Sequence, residues 1–168
     1  MKLIAPILAE LEQEAKTTRK MLELLPEDKL KWKPHEKSMT LGRLAAHIAE
    51  IPSWVDAFVQ QDELVLGAVE YEPPMATSVS ETLETFDKNL AYALEKLKPL
   101  SDDQLSANWR LKKEEEVIHE MPRLAVVRTW LLSHIIHHRG QLSVYLRLND
   151  VPLPQVYGPT ADAEMSRT

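Results

Sequence analysis

The stretch SHIIHHRGQLSVYLR, residues 133–147, places three histidines within five positions of a run that otherwise has the spacing of an apolar helix. The same stripe begins near Pro122, a good first-turn residue. It passes through Leu124, Val127, Leu131, His134, His138, Leu142 and Tyr145 to about Asn149. Steps of three and four residues define one helical face, so the spacing predicts a long helix, the fourth of the chain, with histidine on its core-facing stripe.

Working outward, three more helices are predicted. In the first, Ile4, Ile7, Leu8, Leu11, Ala15, Thr18, Leu22 and Leu25 share a face, and Pro26 stops it. In the second, Leu44, His47, Ile48, Ile51, Val55, Phe58 and Val59 follow Thr40 or Ser38 as the cap; Pro52 is expected either to kink this helix or to restart it after a short break. The third opens on the capping-box pattern Ser78-Val79-Ser80-Glu81 and carries Leu83, Phe86, Leu90, Ala93, Leu94 and Leu97, ending at Leu100 and an acidic turn. Between helices 2 and 3, residues 61–77 mix acids, Gly67 and Pro73-Pro74 without helical period, which is a crossover long enough to span a bundle. NWRLKKEEEVIHEMPR, residues 108–123, reads as a solvated hairpin or loop, and residues 151–168 as a Pro-rich tail. A weak internal repeat pairs LLPEDKLKW after helix 1 with PLSDDQLSANW after helix 3, which would make the two histidine-bearing helices counterparts. The expected architecture is all-α: one domain over residues 1–168, a four-helix bundle with a long crossover between helices 2 and 3.

Composition agrees. With 168 residues the chain can bury one sizeable core, and 4 glycines with 6% aromatic residues argue against a β-rich fold. The 26 acidic against 20 basic side chains give a net charge of −6, which repels a phosphate backbone, and no basic patch offsets it, so nucleic acid is excluded as a partner. Without cysteine there is no disulfide, thiolate ligand or cysteine nucleophile, and any metal must be held by N and O atoms. The N-terminal apolar run is too short for a secretory signal and no run approaches the length of a membrane span, so a cytoplasmic protein without membrane contact is expected.

Residues four apart on a helix lie one turn apart and point the same way, so His134 and His138 can grip one ion. With 6 histidines in the chain, roughly 0.2 such pairs arise by chance, so the pair alone is a weak signal. Position strengthens it: His134 and His138 align with Leu131 and Leu142, and His47 aligns with Leu44 and Ile51. Three imidazoles turned into a core would each strand a polar group at about 1–3 kcal/mol unless they share a partner. A divalent cation satisfies all three and keeps coordination positions open, as in a catalytic site. The alternative is that His47 is a satisfied core histidine and the helix 4 pair bonds to carboxylates such as Glu50.

Other residues are weaker candidates. Glu50, one turn from His47, could serve as an orienting partner or a general base, but reads first as an exposed helix residue; Gln141, one turn beyond His138, is similarly placed, with an ordinary surface amide as the alternative. Arg139, His35 and His119 read as surface groups, and His137 as turned toward a neighbouring helix or solvent. Of Trp32, Trp54, Trp109 and Trp130, which suit core or bundle-end packing, Trp54 is the one able to wall a pocket beside His47.

KWKPHEKSMTLGRLAAHIAEIPSW together with LLSHIIHHRGQLSVYLRLNDVPLPQVYGPTADAE resembles the DinB family of the DinB/YfiT-like metalloenzymes. In that family a histidine on the second helix joins two histidines separated by three residues on the last long helix, followed by arginine-glycine-glutamine. The matching positions are His47, His134, His138 and Arg139-Gly140-Gln141. The resemblance implies an up-down-down-up four-helix bundle, frequently a homodimer, with a divalent metal such as nickel or zinc. It implies no single reaction: some relatives are transferases or isomerases that use a low-molecular-weight thiol such as bacillithiol or mycothiol.

Two functional classes follow. In one, the cation activates a thiol or water for transfer to a small-molecule electrophile or for hydrolysis, the thiol arriving from solution because the chain has none. In the other, the protein is a non-catalytic binding protein whose metal locks helix 2 to helix 4.

Overall fold

The computed structural model describes residues 2–68 and 70–162; Met1 and the last residues of the Pro-rich tail, 163–168, lie outside the described residues. The first stripe forms α1 (Ile4–Leu22), which buries Ile4, Ile7, Leu11, Ala15, Thr18 and Leu22 and, unexpectedly, Glu14. α2 (Leu41–Glu50) is capped by Thr40, whose hydroxyl accepts from the Arg43 amide at 3.1 Å. Pro52 makes a break: Ile51–Trp54 tighten into a 3₁₀ turn, and α3 (Val55–Val59) follows. α4 (Val79–Leu97) is capped by Ser78, but Glu81 accepts from the Thr77 hydroxyl instead of closing the box. The complete capping box is at Ser101 and Gln104, opening the short α5 (Asp102–Ser106). The last long helix comprises α6 (Arg123–Val126), a π-helical stretch Val127–Ser133, and α7 (His134–Arg147).

Side-chain pairs fix the directions of the four long helices. α1 runs antiparallel to α4, with Arg19 on Asp87 and Glu12 beside Leu94. It runs parallel to the last helix, with Glu10 on Arg128 and Glu14 on Arg139. α2 is antiparallel to α7, with His47 on His138 and Trp54 on His134. The α2–α3 limb is parallel to α4: Asn89 donates to the Ala49 carbonyl and Tyr92 to Asp56. Because α2 and α4 run the same way, the crossover must return along the bundle before α4 can begin.

The expectation of an all-α fold is corrected by a three-stranded sheet in the order β1-β2-β3. β2 (Asn108–Lys113) and β3 (Glu116–Pro122) form the hairpin within the charged segment, closed at Glu114, which adopts φ 54°. β1 (Glu63–Leu66), in the crossover, adds to it in parallel, Glu63 pairing with Arg110. Local periodicity could not reveal β1: four residues carry little pattern, and their partner lies far along the chain. The sheet closes one end of the bundle through Trp109, which is fully buried, packs edge-on against Phe58 and Trp130, and donates its indole N–H to the Ala57 carbonyl at 2.7 Å. Arg123, also buried, donates to the carbonyls of Phe58, Gln61 and Gln104, placing a cation at the C-terminal end of α3.

Both acidic turns of the internal repeat fold as short helical turns, Glu27–Lys29 and α5. The likeness stops there, since Trp32 is only half-buried, edge-on to Tyr145. The core has two parts. One gathers Ile51, Val55, Leu131 and Ile135 with Trp109, the other Leu44, Ile48, Phe86 and Leu142. On the last helix His138 falls between the two parts, after Ile135 and before Leu142, whereas His47 on α2 lies among residues of the second part, between Leu44 and Ile48.

Candidate metal centre

Two of the three histidines, His47 and His134, sit beside an irregularity in their helices. His47 is the last full turn of α2 before the Pro52 break. His134 is the first residue after the π-helical stretch, whose wider turns keep Val127, Leu131 and Ile135 buried at steps of four. Regular spacing then resumes with His138, Leu142 and Leu146. The wider turns give Ile135 the deep position that the sequence stripe assigned to His134, so His134 is only half-buried. His138 is buried and the His47 side chain 12% exposed. The three imidazoles therefore line the seam between α2 and α7 rather than the centre of the core.

Their ring nitrogens converge. His47 Nε2 lies 3.1 Å from His138 Nε2 and 3.3 Å from His134 Nε2, and one nitrogen from each ring falls within 4.8 Å of the others. The outer nitrogens determine which tautomers are present. His47 Nδ1 is 2.7 Å from the Glu50 carboxylate, which only accepts, so the proton sits on Nδ1; His138 Nδ1 donates likewise to Gln141 Oε1 at 2.7 Å. Two lone pairs then face each other across 3.1 Å, an arrangement that a cation held between the rings would satisfy. Protonation of His134 and of His138 is disfavoured. Desolvation, with the like charge of His47 and His137, pushes His134 down to about 4, and desolvation pushes His138 down to about 4 against the opposing bond from Gln141. A divalent ion fits: nitrogens at the usual Zn–N length of about 2.0–2.1 Å around a tetrahedral centre lie about 3.3 Å apart.

Behind His47 is a charged network. Glu50 Oε1 accepts from His47, from the Tyr71 hydroxyl at 2.6 Å and from the Arg43 guanidinium at 3.3 Å, while Arg43 Nη2 also donates to Tyr71 at 3.0 Å. Burial alone would raise the Glu50 carboxyl, but the bonds from His47 and Tyr71 and the charge of Arg43 hold it below its ordinary value. Glu50 is thus half-buried and engaged, not the exposed helix residue of the simpler reading. Arg43 and Tyr71 are not among the candidates that the sequence suggests. Arg43 was findable, since positions 43, 47 and 50 share one helical face; Tyr71, in a segment without period, offered no signal. Trp54 stands beside His47 and His134, with ring centroids 5.4 and 5.2 Å away, as the wall expected of it.

His137, His35 and His119 are exposed, as their positions suggested. Arg139 is not a surface group. It is buried against α1, pairing with Glu14 at 2.5 Å, reaching Thr18, and donating to the Tyr157 hydroxyl at 2.8 Å. It faces away from the histidines and joins α7 to α1 and to the tail.

Among the described residues, no helix is long and apolar enough to cross a membrane. The chain is 25% identical over 151 residues to the uncharacterized protein YrdA of Bacillus subtilis (strain 168), covering 90% of this chain and 86% of that protein. The crystal structure of a DinB-like protein from Bacillus cereus ATCC 10987 matches with 27% identity and a TM-score of 0.67, covering 87% of this chain and 92% of that one. A DinB-like protein from Bacillus subtilis, YjoA, matches in fold with 19% identity and a TM-score of 0.67, over 89% of this chain and 96% of that one. The sequence matches the DinB family over residues 2–166, a span that includes the three histidines and both helices that carry them, and the chain belongs to that family.

Proposed function

We propose that His47, His134 and His138 hold one divalent cation, nickel or zinc, and that the protein is a metal-dependent enzyme acting on a small molecule, with a low-molecular-weight thiol as co-substrate of an S-transfer. The observation that carries this reading is the convergence of three Nε2 atoms, two of them deprotonated by the bonds made on the other side of the ring. When bound, a divalent cation with three neutral ligands supplies a Lewis-acid centre that acidifies a protic group, thiol or water, at its open positions. The chain's own residues do the rest. Glu50 and Gln141 hold the Nδ1 protons and so keep both Nε2 lone pairs directed inward, and Trp54 presents an apolar wall beside His47 and His134. With no cysteine in the chain, the thiol comes from solution.

The same reading places the protein in the cytoplasm, where such thiols are kept reduced. It also includes a symmetric homodimer, supported by the exposed apolar residues Val144, on α7, and Leu148, at its C-terminal cap. A monomeric mass in sedimentation at micromolar concentration overturns the dimer.

The test of the chemistry is metal analysis of protein purified without a histidine tag, followed by thiol titration of the loaded form. Calorimetry in buffers of different ionisation enthalpy is expected to count about one proton released per thiol near pH 7. Loss of that signal with several small thiols, while metal stays bound, removes the transfer reading. Turnover of a hydrolysable substrate with thiols inhibiting would replace it by a hydrolase. A second, non-catalytic reading is favoured by one feature: the ligands come from two antiparallel helices, so the ion would staple α2 to α7. Unfolding on chelation without any thiol signal selects it.

A further inference from the structure

The crossover passes beside the metal centre because α2 and α4 run parallel, yet its described residues from Leu66 to Met75 are all exposed. An exposed loop gains little from burial, so contacts that fix it must be specific. Tyr71 makes one. Its side chain is largely in solvent, 57% exposed, while its hydroxyl reaches the half-buried Glu50 at 2.6 Å and takes a bond from Arg43 at 3.0 Å. An O–H donor on a carboxylate at that length is among the stronger hydrogen bonds available to a side chain. The same oxygen, Oε1, receives His47 Nδ1 at 2.7 Å, so a single atom links the crossover to a metal-holding ring.

We propose that Tyr71 is a positioning residue that acts on the metal centre from the crossover: through Glu50 it fixes the ring of His47, so that cation binding and docking of the crossover reinforce each other. The inference rests on the metal-binding reading above. Arg43 shares the work from within α2, since it lies two turns before Glu50 and donates to the same oxygen. Without the Tyr71 hydroxyl the carboxylate keeps its charge but loses one of the donors that orient it, and His47 is held less firmly. Reciprocity follows from thermodynamics: whatever factor Tyr71 contributes to cation affinity, the cation returns to the docking of Tyr71. A purely structural contact on an exposed loop would leave the centre unaffected.

The experiment compares the full chain with Tyr71→Phe, Glu50→Ala and the double variant, using cobalt(II) alone as probe. Affinity is read by chelator competition, the site by the visible ligand-field bands, and the crossover by limited proteolysis with and without cobalt. Tyr71→Phe removes only an exposed hydroxyl, and circular dichroism checks that it folds. The expected result is an affinity lower by about threefold to tenfold, less than the 10–100-fold typical of losing a direct partner of a metal-holding histidine. Altered cobalt bands and loss of cobalt-dependent protection of the crossover should accompany it. In the Glu50→Ala background the Tyr71 change is expected to add nothing, since the residue acts through that carboxylate. Unchanged or tighter cobalt binding in a well-folded Tyr71→Phe protein, or full additivity in the double variant, overturns the inference while the metal site stands. If the unaltered chain binds no cobalt, zinc or nickel, the metal-binding reading itself fails, and the inference fails with it.

Discussion

The two helices that supply the histidines prepare them in opposite ways. α2 tightens into a 3₁₀ turn just after His47, whereas the last helix widens into a π-helical stretch just before His134. The charge behind the rings differs too: His47 is backed by a carboxylate with Arg43 and Tyr71 around it, His138 by the neutral amide of Gln141. The charged group of α7, Arg139, is turned to the opposite side and buried against Glu14. α2 therefore concentrates its electrostatics on the metal side, while α7 uses its charge to anchor itself to α1. A carboxylate partner makes an imidazole a better donor to a cation than an amide does, so His47 should be the strongest of the three ligands.

The harshest way to break this comparison is to remove a ring. His47→Ala and His138→Ala are each expected to abolish stoichiometric loading of zinc or nickel, measured by elemental analysis after dialysis. Full stoichiometry and affinity in both variants would show that the histidines are ordinary packing groups and that the contrast between their partners has no functional content.

The back of α7 carries the next largest effect, on stability rather than on metal. Arg139→Ala leaves Glu14 as an unpaired charge in a buried position, and breaking such a pair costs about 3–5 kcal/mol. Denaturant unfolding should register this as a lower midpoint with an unchanged slope. Replacing both partners by apolar residues of similar volume, Arg139→Met with Glu14→Leu, should recover most of it. If Arg139→Ala is neutral in unfolding but loses metal, Arg139 serves the metal side of α7 and not its anchorage to α1.

How much of this the sequence carries differs between regions for physical reasons. The stripes of α1 and α4, the Thr40 and Ser78 caps and the Pro52 break follow from local rules that act within a turn or two, and all are visible as residue spacing. Likewise the three histidines do come together as their spacing suggested, though along the seam between α2 and α7 and not in the core-facing position that alignment with leucines implied. What was not legible depends on distant partners. β1 exists because β2 offers it an edge, and Arg139 is inside because Glu14, on another helix, accepts it. The π-helical stretch rotates the stripe by an amount no 3.6-residue template anticipates, which is why Ile135 is deeper than His134. Tyr71 reaches the site only because the helix directions send the crossover past it.

A sharper test of the difference between the two helices compares the groups behind the rings. Glu50→Ala removes a charged partner and should weaken zinc or nickel binding by about 10–100-fold. Gln141→Ala removes a neutral one from an exposed side chain whose place water can take, and should cost roughly threefold or less. Glu50→Gln, which keeps an acceptor without the charge, should fall between them. Equal losses at Glu50 and Gln141 would mean that orientation alone matters and the carboxylate charge does not.

The smallest expected effect is at His137, and it tests whether the geometry has selected the right pair of histidines. His137 neighbours His138 in sequence, its ring centroid lies 4.8 Å from that of His138, and its charge is among the causes that depress both His134 and His138. Proximity alone would make it a candidate. Yet consecutive residues on a helix point about 100° apart, so a chelate with His138 is far easier for His134, one turn away, than for its immediate neighbour. The structure follows that rule: His137 is exposed, and the converging cluster is made by His47, His134 and His138. His137→Ala should therefore leave metal affinity within about twofold, the small residue of its electrostatic influence on two rings in a partly solvated setting. A variant that loses metal at position 137 while His134→Ala retains it would move the α7 contribution to the outer face of the helix. The π-helical stretch would then have no part in placing a ligand.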